Sequence, residues 1–270
     1  MRHSSQIVAI IYVIITYSVT WMILFPLSTV YNELNLIQRE LWHSLGSIGP
    51  AVGGIFALYL LKRKKGLKLL KVRILKYSGK KLLIFAFSPL IILIITLIIE
   101  SLLGFFKIIS FFQENNILNF GLFIVFILPS ICYGLFEEIG WRGYLLPALQ
   151  EKFNALSSTL ILTVIWWFWH FPTFFYRSDF FFGFVLMFPL LLSGSIVITF
   201  LFNQSKGSVL MVIFLHISYD LVTSHQISIT AIIIVSTFYV FMDVRILKVY
   251  GIENFSTLKR ATLELNDIIY

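Results

Sequence analysis

Long apolar runs separated by short polar loops fill most of this chain. Eight of them read as membrane-spanning helices, at about residues 6–30, 44–62, 82–104, 117–146, 156–172, 181–203, 207–223 and 228–246. A helix needs roughly 20 predominantly apolar residues to cross about 30 Å of hydrocarbon. The runs are continuous rather than alternating, which argues against a closed β-barrel. The predicted fold is therefore all-α, a polytopic membrane bundle of about eight transmembrane helices. Pro129 and Pro189 fall inside spans and should kink them, and Pro172 should end the fifth. The fourth span runs on through WRGYLLPALQEKF, which carries its helical pattern past Pro147. No internal repeat, low-complexity tract or soluble domain interrupts the series. The chain divides into amino-terminal spans over residues 1–116, a core over 117–246 and a tail over 247–270.

The loops orient the bundle. Ten of the 21 basic residues lie in KRKKGLKLLKVRILKYSGKK, residues 62–81. Such a segment between spans reads as a cytoplasmic loop on anionic lipid. Both termini then lie in the cytoplasm, as do the loops holding Lys152 and Lys206. The opposite loops hold a mixed-sign set that includes Glu33, Arg39, Glu40, Lys107, Glu114, Arg177 and Asp179.

Composition supports the same class. The chain is 59% hydrophobic and only 13% charged, where a soluble domain has about 25% charged residues. Its net charge of +8 would suit nucleic acid if it were spread over a groove. Concentrated in one loop, it points to lipid, and no nucleic-acid partner is expected. The lone Cys132 excludes an internal disulfide framework. The first apolar run is too long for a signal-peptide core and lacks a small-residue cleavage site, so it reads as a first span. The Ile-, Lys-, Asn- and Phe-rich usage suggests an AT-rich genome, hence an integral protein of a bacterial plasma membrane.

Ionisable residues inside three of the spans carry the candidate chemistry. A charged side chain near the bilayer centre costs roughly 2.5–3.5 kcal/mol on insertion scales, so such residues persist where they face a bundle interior. In EEIGWR, Glu138 and Arg142 are four apart and share a helix face, the favourable order for an ion pair. Glu137 points about 100° away and has Trp141 rather than a cation at i+4. One carboxylate is thus tied up while its neighbour is free to act as a general base. His170 ends WWFWH, and His216 and Asp220 in HISYD share one face, where the carboxylate can hold an imidazole tautomer or join it on a metal. The plainer readings are glutamates paired with arginines elsewhere, an interfacial histidine in an aromatic belt, and a hydrogen-bonded His–Asp packing pair. Counted from the inner helix ends at 1.5 Å per residue, Glu137, His170 and His216 sit about 20, 21 and 13 Å up, so they could meet in one chamber, expected in the cytoplasmic half. Cys132 and Ser195 read as core packing, and Glu100 and Asp243 as interfacial. His3, His43 and His225 carry no pattern.

These residues bring a resemblance with them. Glu137-Glu138 with Arg142 matches an EExxxR motif. Trp166 to His170 resembles FxxxH with Trp in the Phe position, and His216 to Asp220 resembles HxxxN/D. Order and separation are similar to those of the CPBP family of intramembrane proteases, which includes the type II CAAX prenyl endopeptidases and the Abi-type bacteriocin-processing and immunity proteins. The resemblance covers roughly residues 117–224. It implies peptide-bond hydrolysis in the membrane, with Glu137 and His170 activating a water and His216 with Asp220 stabilising the oxyanion or helping to bind a metal. Glu138 and Arg142 would shape the site. Zinc or another divalent ion on Glu137, His170 and His216 is compatible with these residue types, and so is a metal-free, glutamate-activated water. Asp220 stands where prenyl-processing enzymes tend to have Asn, which favours an orienting role because an ionised carboxylate cannot donate to an oxyanion. The implied partners are the lipid bilayer and a membrane protein or peptide substrate; the oligomeric state is open. Two other classes fit the same spans. One is a non-enzymatic immunity factor or scaffold using the polar cluster for binding. The other is a transporter, which the lack of internal repeats disfavours.

Overall fold

Side chains at the helix starts show why the chain breaks where it does. Asn35, Asn119, Asn154 and Ser228 each accept a hydrogen bond from a backbone N–H in the first turn that follows, satisfying amides the helix itself leaves orphaned. The structure is a computed structural model that describes residues 2–114, 119–223 and 227–264. Residues 115–118, where the fourth span was predicted to begin, His225 and the last six residues of the tail lie outside the described residues.

The helices are α1 (Arg2–Val30), α2 (Leu36–Gly46), α3 (Ile48–Lys62), α4 (Lys64–Leu75), α5 (Lys80–Ala86), α6 (Ser88–Leu102) and α7 (Ile108–Glu114). The second half holds α8 (Phe120–Gly140), a π-helical turn at Trp141–Leu145, α9 (Leu146–Gln150), α10 (Ala155–Trp169) and a 3-10 turn at Phe171–Phe175. It continues with α11 (Phe180–Gln204), α12 (Val209–Thr223), α13 (Ile229–Arg245), a second π-helical turn at Ile246–Tyr250 and α14 (Gly251–Asn254). No strand is found among the described residues, so the all-α expectation is met.

The count of spans is met only in part. Among the described residues, five helical stretches are long and apolar enough to cross a membrane. The pair α5 and α6, bent by 60°, makes a sixth if taken as one span. The other two expected spans, α10 and α12, have 15 residues each, about 22 Å of helix. These are two of the three helices that carry the polar motifs. α10 stops where the motif histidine is needed, and its exposed end is satisfied by its neighbours. Tyr17 and Trp21 of α1 donate to the carbonyls of Ile165 and Trp169, His170 Nδ1 to that of Trp166, and Thr173 to that of His170. A helix can end at membrane depth only when protein supplies those bonds.

Close backbone packing fixes α8 between α3 and α12. A Cβ on Gly140 would fall 2.3 Å from the Pro50 carbonyl oxygen, and one on Gly134 would fall 2.5 Å from Ile217 Cγ1. Small residues that let helices approach are a common device in membrane bundles. They set Glu137 and Glu138 between the two contacts. Because the obstruction at Gly140 is backbone, Gly140→Ala is expected to destabilise the protein by about 1–3 kcal/mol, read as a lower midpoint in a thermal melt in detergent. An unchanged midpoint would mean that α3 and α8 are not held this closely.

The end of the bundle that carries the basic segment is tied by the tail. Arg73 is fully buried, donates to the Thr262 carbonyl and lies 5.6 Å from the Phe202 ring centre. Gln150 and Asn203 exchange side-chain hydrogen bonds at 3.0 and 2.8 Å, and Gln150 also donates to Ala261. Burial, together with Lys206 and Arg73 nearby, lowers the Lys76 ammonium to about 8; its Nζ donates to the Lys206 carbonyl.

Candidate active site

Glu137 and Glu138 close α8, and the backbone then widens into the π-helical turn that holds Trp141 and Arg142. Such turns inside helices occur often at functional sites. Glu137, Glu138 and Arg142 are all fully buried. The predicted pair forms, with Arg142 Nη1 donating to Glu138 Oε1 at 2.8 Å. The same carboxylate oxygen accepts from His216 Nδ1 at 2.8 Å. Glu138 is therefore a bridge between the first and third motifs, a role its sequence spacing to Arg142 does not reveal.

Glu137 stands differently. Its Oε2 accepts from Trp141 Nε1 at 3.0 Å, while Oε1 has no hydrogen-bond partner among the described residues. An unpaired buried carboxylate oxygen is costly and calls for an explanation. Glu137 is among the residues that line a cavity of about 1010 Å³, with His170, His216 and Asp220.

Trp166 joins the parts. Its ring lies 4.7 Å from the Arg142 guanidinium carbon, 5.9 Å from the His170 ring and 5.5 Å from the His216 ring. The aromatic position of the second motif thus packs against all three motifs. His170 caps α10, where its Nδ1–H donates to the Trp166 carbonyl at 2.9 Å. That bond leaves Nε2 as the acceptor nitrogen. His216 uses Nδ1 on Glu138, and its Nε2 lies 3.6 Å from Asp220 Oδ2, too long for a hydrogen bond.

All six predicted site residues converge here, in two tiers. Glu137, His170, His216 and Asp220 line the cavity, while Glu138 and Arg142 stand behind them. The six do not cluster as metal ligands. Among the described residues, no group of three or more His, Cys, Asp and Glu side chains is arranged to hold a metal ion. Both nitrogens of His216 stand beside carboxylates.

The cavity runs from these residues to Leu36 at the start of α2 and Ile229 at the start of α13, both well exposed. Leu36 and Lys62, where the basic segment begins, stand at opposite ends of one 27-residue helical stretch. One wall is apolar, with Leu122, Val125, Phe126, Met187, Leu190 and Leu191.

One sequence reading changes. His43, which carries no pattern and stands one position outside a predicted span, is buried in α2 and lines the cavity, bonded to Tyr133 and Tyr176. The available signal was an ionisable ring at the edge of an apolar run. Asp243, near the end of α13, is half-buried and accepts a hydrogen bond from Ser193 of α11.

Comparison with known proteins finds similarity to the family that the motifs resemble. Residues 119–222 match the family model described as type II CAAX prenyl endopeptidase Rce1-like. The chain is also similar to CAAX prenyl protease 2 of Methanococcus maripaludis, with 24% identity over 220 residues, covering 76% of this chain and 80% of that protein.

Proposed function

We propose that this chain, whose core is similar to the Rce1-like CAAX prenyl endopeptidases, is an integral membrane endopeptidase that hydrolyses a peptide bond with a water activated by Glu137. The observation that carries the proposal is Glu137, a buried residue beside a cavity shared with two histidines, whose Oε1 has no partner among the described residues. A water there would donate one hydrogen to Glu137 and one to His170 Nε2. Glu137 takes the water's proton as its oxygen attacks the carbonyl carbon. The resulting oxyanion accepts from His216 Nε2–H, and the Glu138 and Asp220 carboxylates on either side balance the charge of the doubly protonated ring. Glu137 then passes its proton to the amide nitrogen as the carbon–nitrogen bond breaks, leaving a new carboxyl terminus and an amine. Asp220 orients His216 and does not donate.

The substrate proposed is a prenylated CAAX peptide. The name of the relative motivates it, and the apolar wall beside the polar tier suits a peptide carrying a hydrocarbon chain. The test incubates purified protein with a prenylated CAAX peptide and its unmodified counterpart and reads the products by mass spectrometry. A new carboxyl terminus within the prenylated CAAX sequence is expected. Absence of any product from either peptide would overturn the proposal. Prior treatment with a strong chelator should leave the rate unchanged. Loss of activity on chelation, restored by added zinc, would replace this water chemistry with a metal-assisted one.

A further inference from the structure

The cavity has a second polar pole that the motifs do not include. His43 is 9% exposed. Its Nδ1 lies 2.7 Å from the Tyr176 hydroxyl and 3.2 Å from the Tyr133 hydroxyl, and Tyr133 also reaches the His43 carbonyl at 3.4 Å. Among the described residues every hydrogen bond of the ring uses Nδ1. If Tyr133 gives its proton to the His43 carbonyl and Tyr176 gives its own to Nδ1, the neutral imidazole carries its lone pair on Nδ1 and its proton on Nε2. Stacking on Tyr133, with centroids 4.7 Å apart and planes at 25°, fixes the ring. His43, Tyr133 and Glu137 all line the same cavity. In that tautomer a fixed N–H donor is left over on the wall of the chamber.

Tyr133 sits one helical turn, about 6 Å, before Glu137 on α8. An extended peptide advances about 3.3 Å per residue, so carbonyls two residues apart on one side are separated by nearly the same distance. We propose that His43 is a substrate-positioning residue whose Nε2–H donates to a backbone carbonyl of the bound peptide near, but not at, the scissile bond. Tyr133 and Tyr176 hold its tautomer and direction. The proposal builds on the endopeptidase reading and adds a recognition contact to it.

The test measures peptide binding in a Glu137→Gln background, so that it does not depend on turnover. The probe is the prenylated CAAX peptide, together with a set in which each backbone carbonyl in turn becomes a thioamide, a weaker acceptor of similar geometry. His43→Phe keeps the ring stack and removes the donor, and it should weaken binding of the parent peptide about tenfold. One thioamide at a position other than the scissile carbonyl should weaken binding several-fold when His43 is present and have no effect in His43→Phe. His43→Gln, which restores an N–H donor, should recover part of the loss. A merely structural role for His43 would weaken all peptides equally, and equal thioamide penalties in both proteins would overturn the proposal. Unchanged binding by His43→Phe would overturn it too. Cleavage by the wild-type protein, assayed separately, keeps the two readings apart. Turnover without His43 coupling defeats only this inference, and coupling without turnover defeats only the peptidase.

Discussion

Glu137→Gln is expected to lower the rate of peptide cleavage by about 10²–10⁴-fold, the usual contribution of a general base, while leaving the protein folded. The amide has nearly the shape of the carboxylate, and its oxygen can still accept from Trp141 Nε1, the bond that Glu137 Oε2 makes at 3.0 Å. What disappears is the basicity of Oε1, the oxygen without a partner among the described residues. Replacing a buried carboxylate by an amide also relieves the desolvation of a charge, so the melting temperature should hold or rise. The measurement is single-turnover cleavage in proteoliposomes beside a thermal melt. Full activity in this variant would refute the assignment of the base. Glu138→Gln should behave differently, since Glu138 faces Arg142 and His216 rather than the cavity.

Arg142→Leu is expected to cost about 3–5 kcal/mol of stability, the penalty for leaving the partner of a buried ion pair uncompensated. Arg142 and Glu138 are both fully buried, and the arginine also packs on Trp166. Cleavage should fall with it, because Glu138 Oε1 is shared with His216 and an unbalanced carboxylate will draw the histidine from its place. Stability and activity separate in the double variant Glu138→Gln/Arg142→Leu. Removing both charges takes away the uncompensated carboxylate, so much of the stability should return. His216 has by then lost its anionic partner, so cleavage should stay low. Denaturant midpoints and cleavage rates for the two variants check this. If the single variant melted like wild type, the buried bridge would not be holding the site together.

The motifs were legible because they break a rule that the rest of the chain obeys. Glu137, Glu138, Arg142, His170, His216 and Asp220 stand in apolar surroundings where ionisable groups are costly, and they were found on that ground alone. The pair of Glu138 with Arg142 followed from helical spacing, and so did the freedom of Glu137 from any local cation. Spacing could not show that Glu138 also binds His216, since 78 residues separate them in the chain. Nor could it place His43, whose partners Tyr133 and Tyr176 are 90 and 133 residues away.

Two matters of length and depth show the same division. The apolar runs located α10 and α12, but they do not say that α10 stops after 15 residues. That depends on Tyr17 and Trp21 of α1 receiving the last carbonyls of α10. The rise per residue gives depths along single helices, while which of those helices line one cavity is decided by how they pack.

By itself the sequence determined that this is a helical membrane protein and which side chains are candidates for chemistry, because hydropathy and helical period are local properties that every few residues report. Only the tertiary structure decided which candidates face a common cavity, which stand behind it, and that His43 belongs with them. Those are distances between helices far apart in the chain. They depend on close contacts such as that of Gly140 with Pro50, which no local pattern encodes.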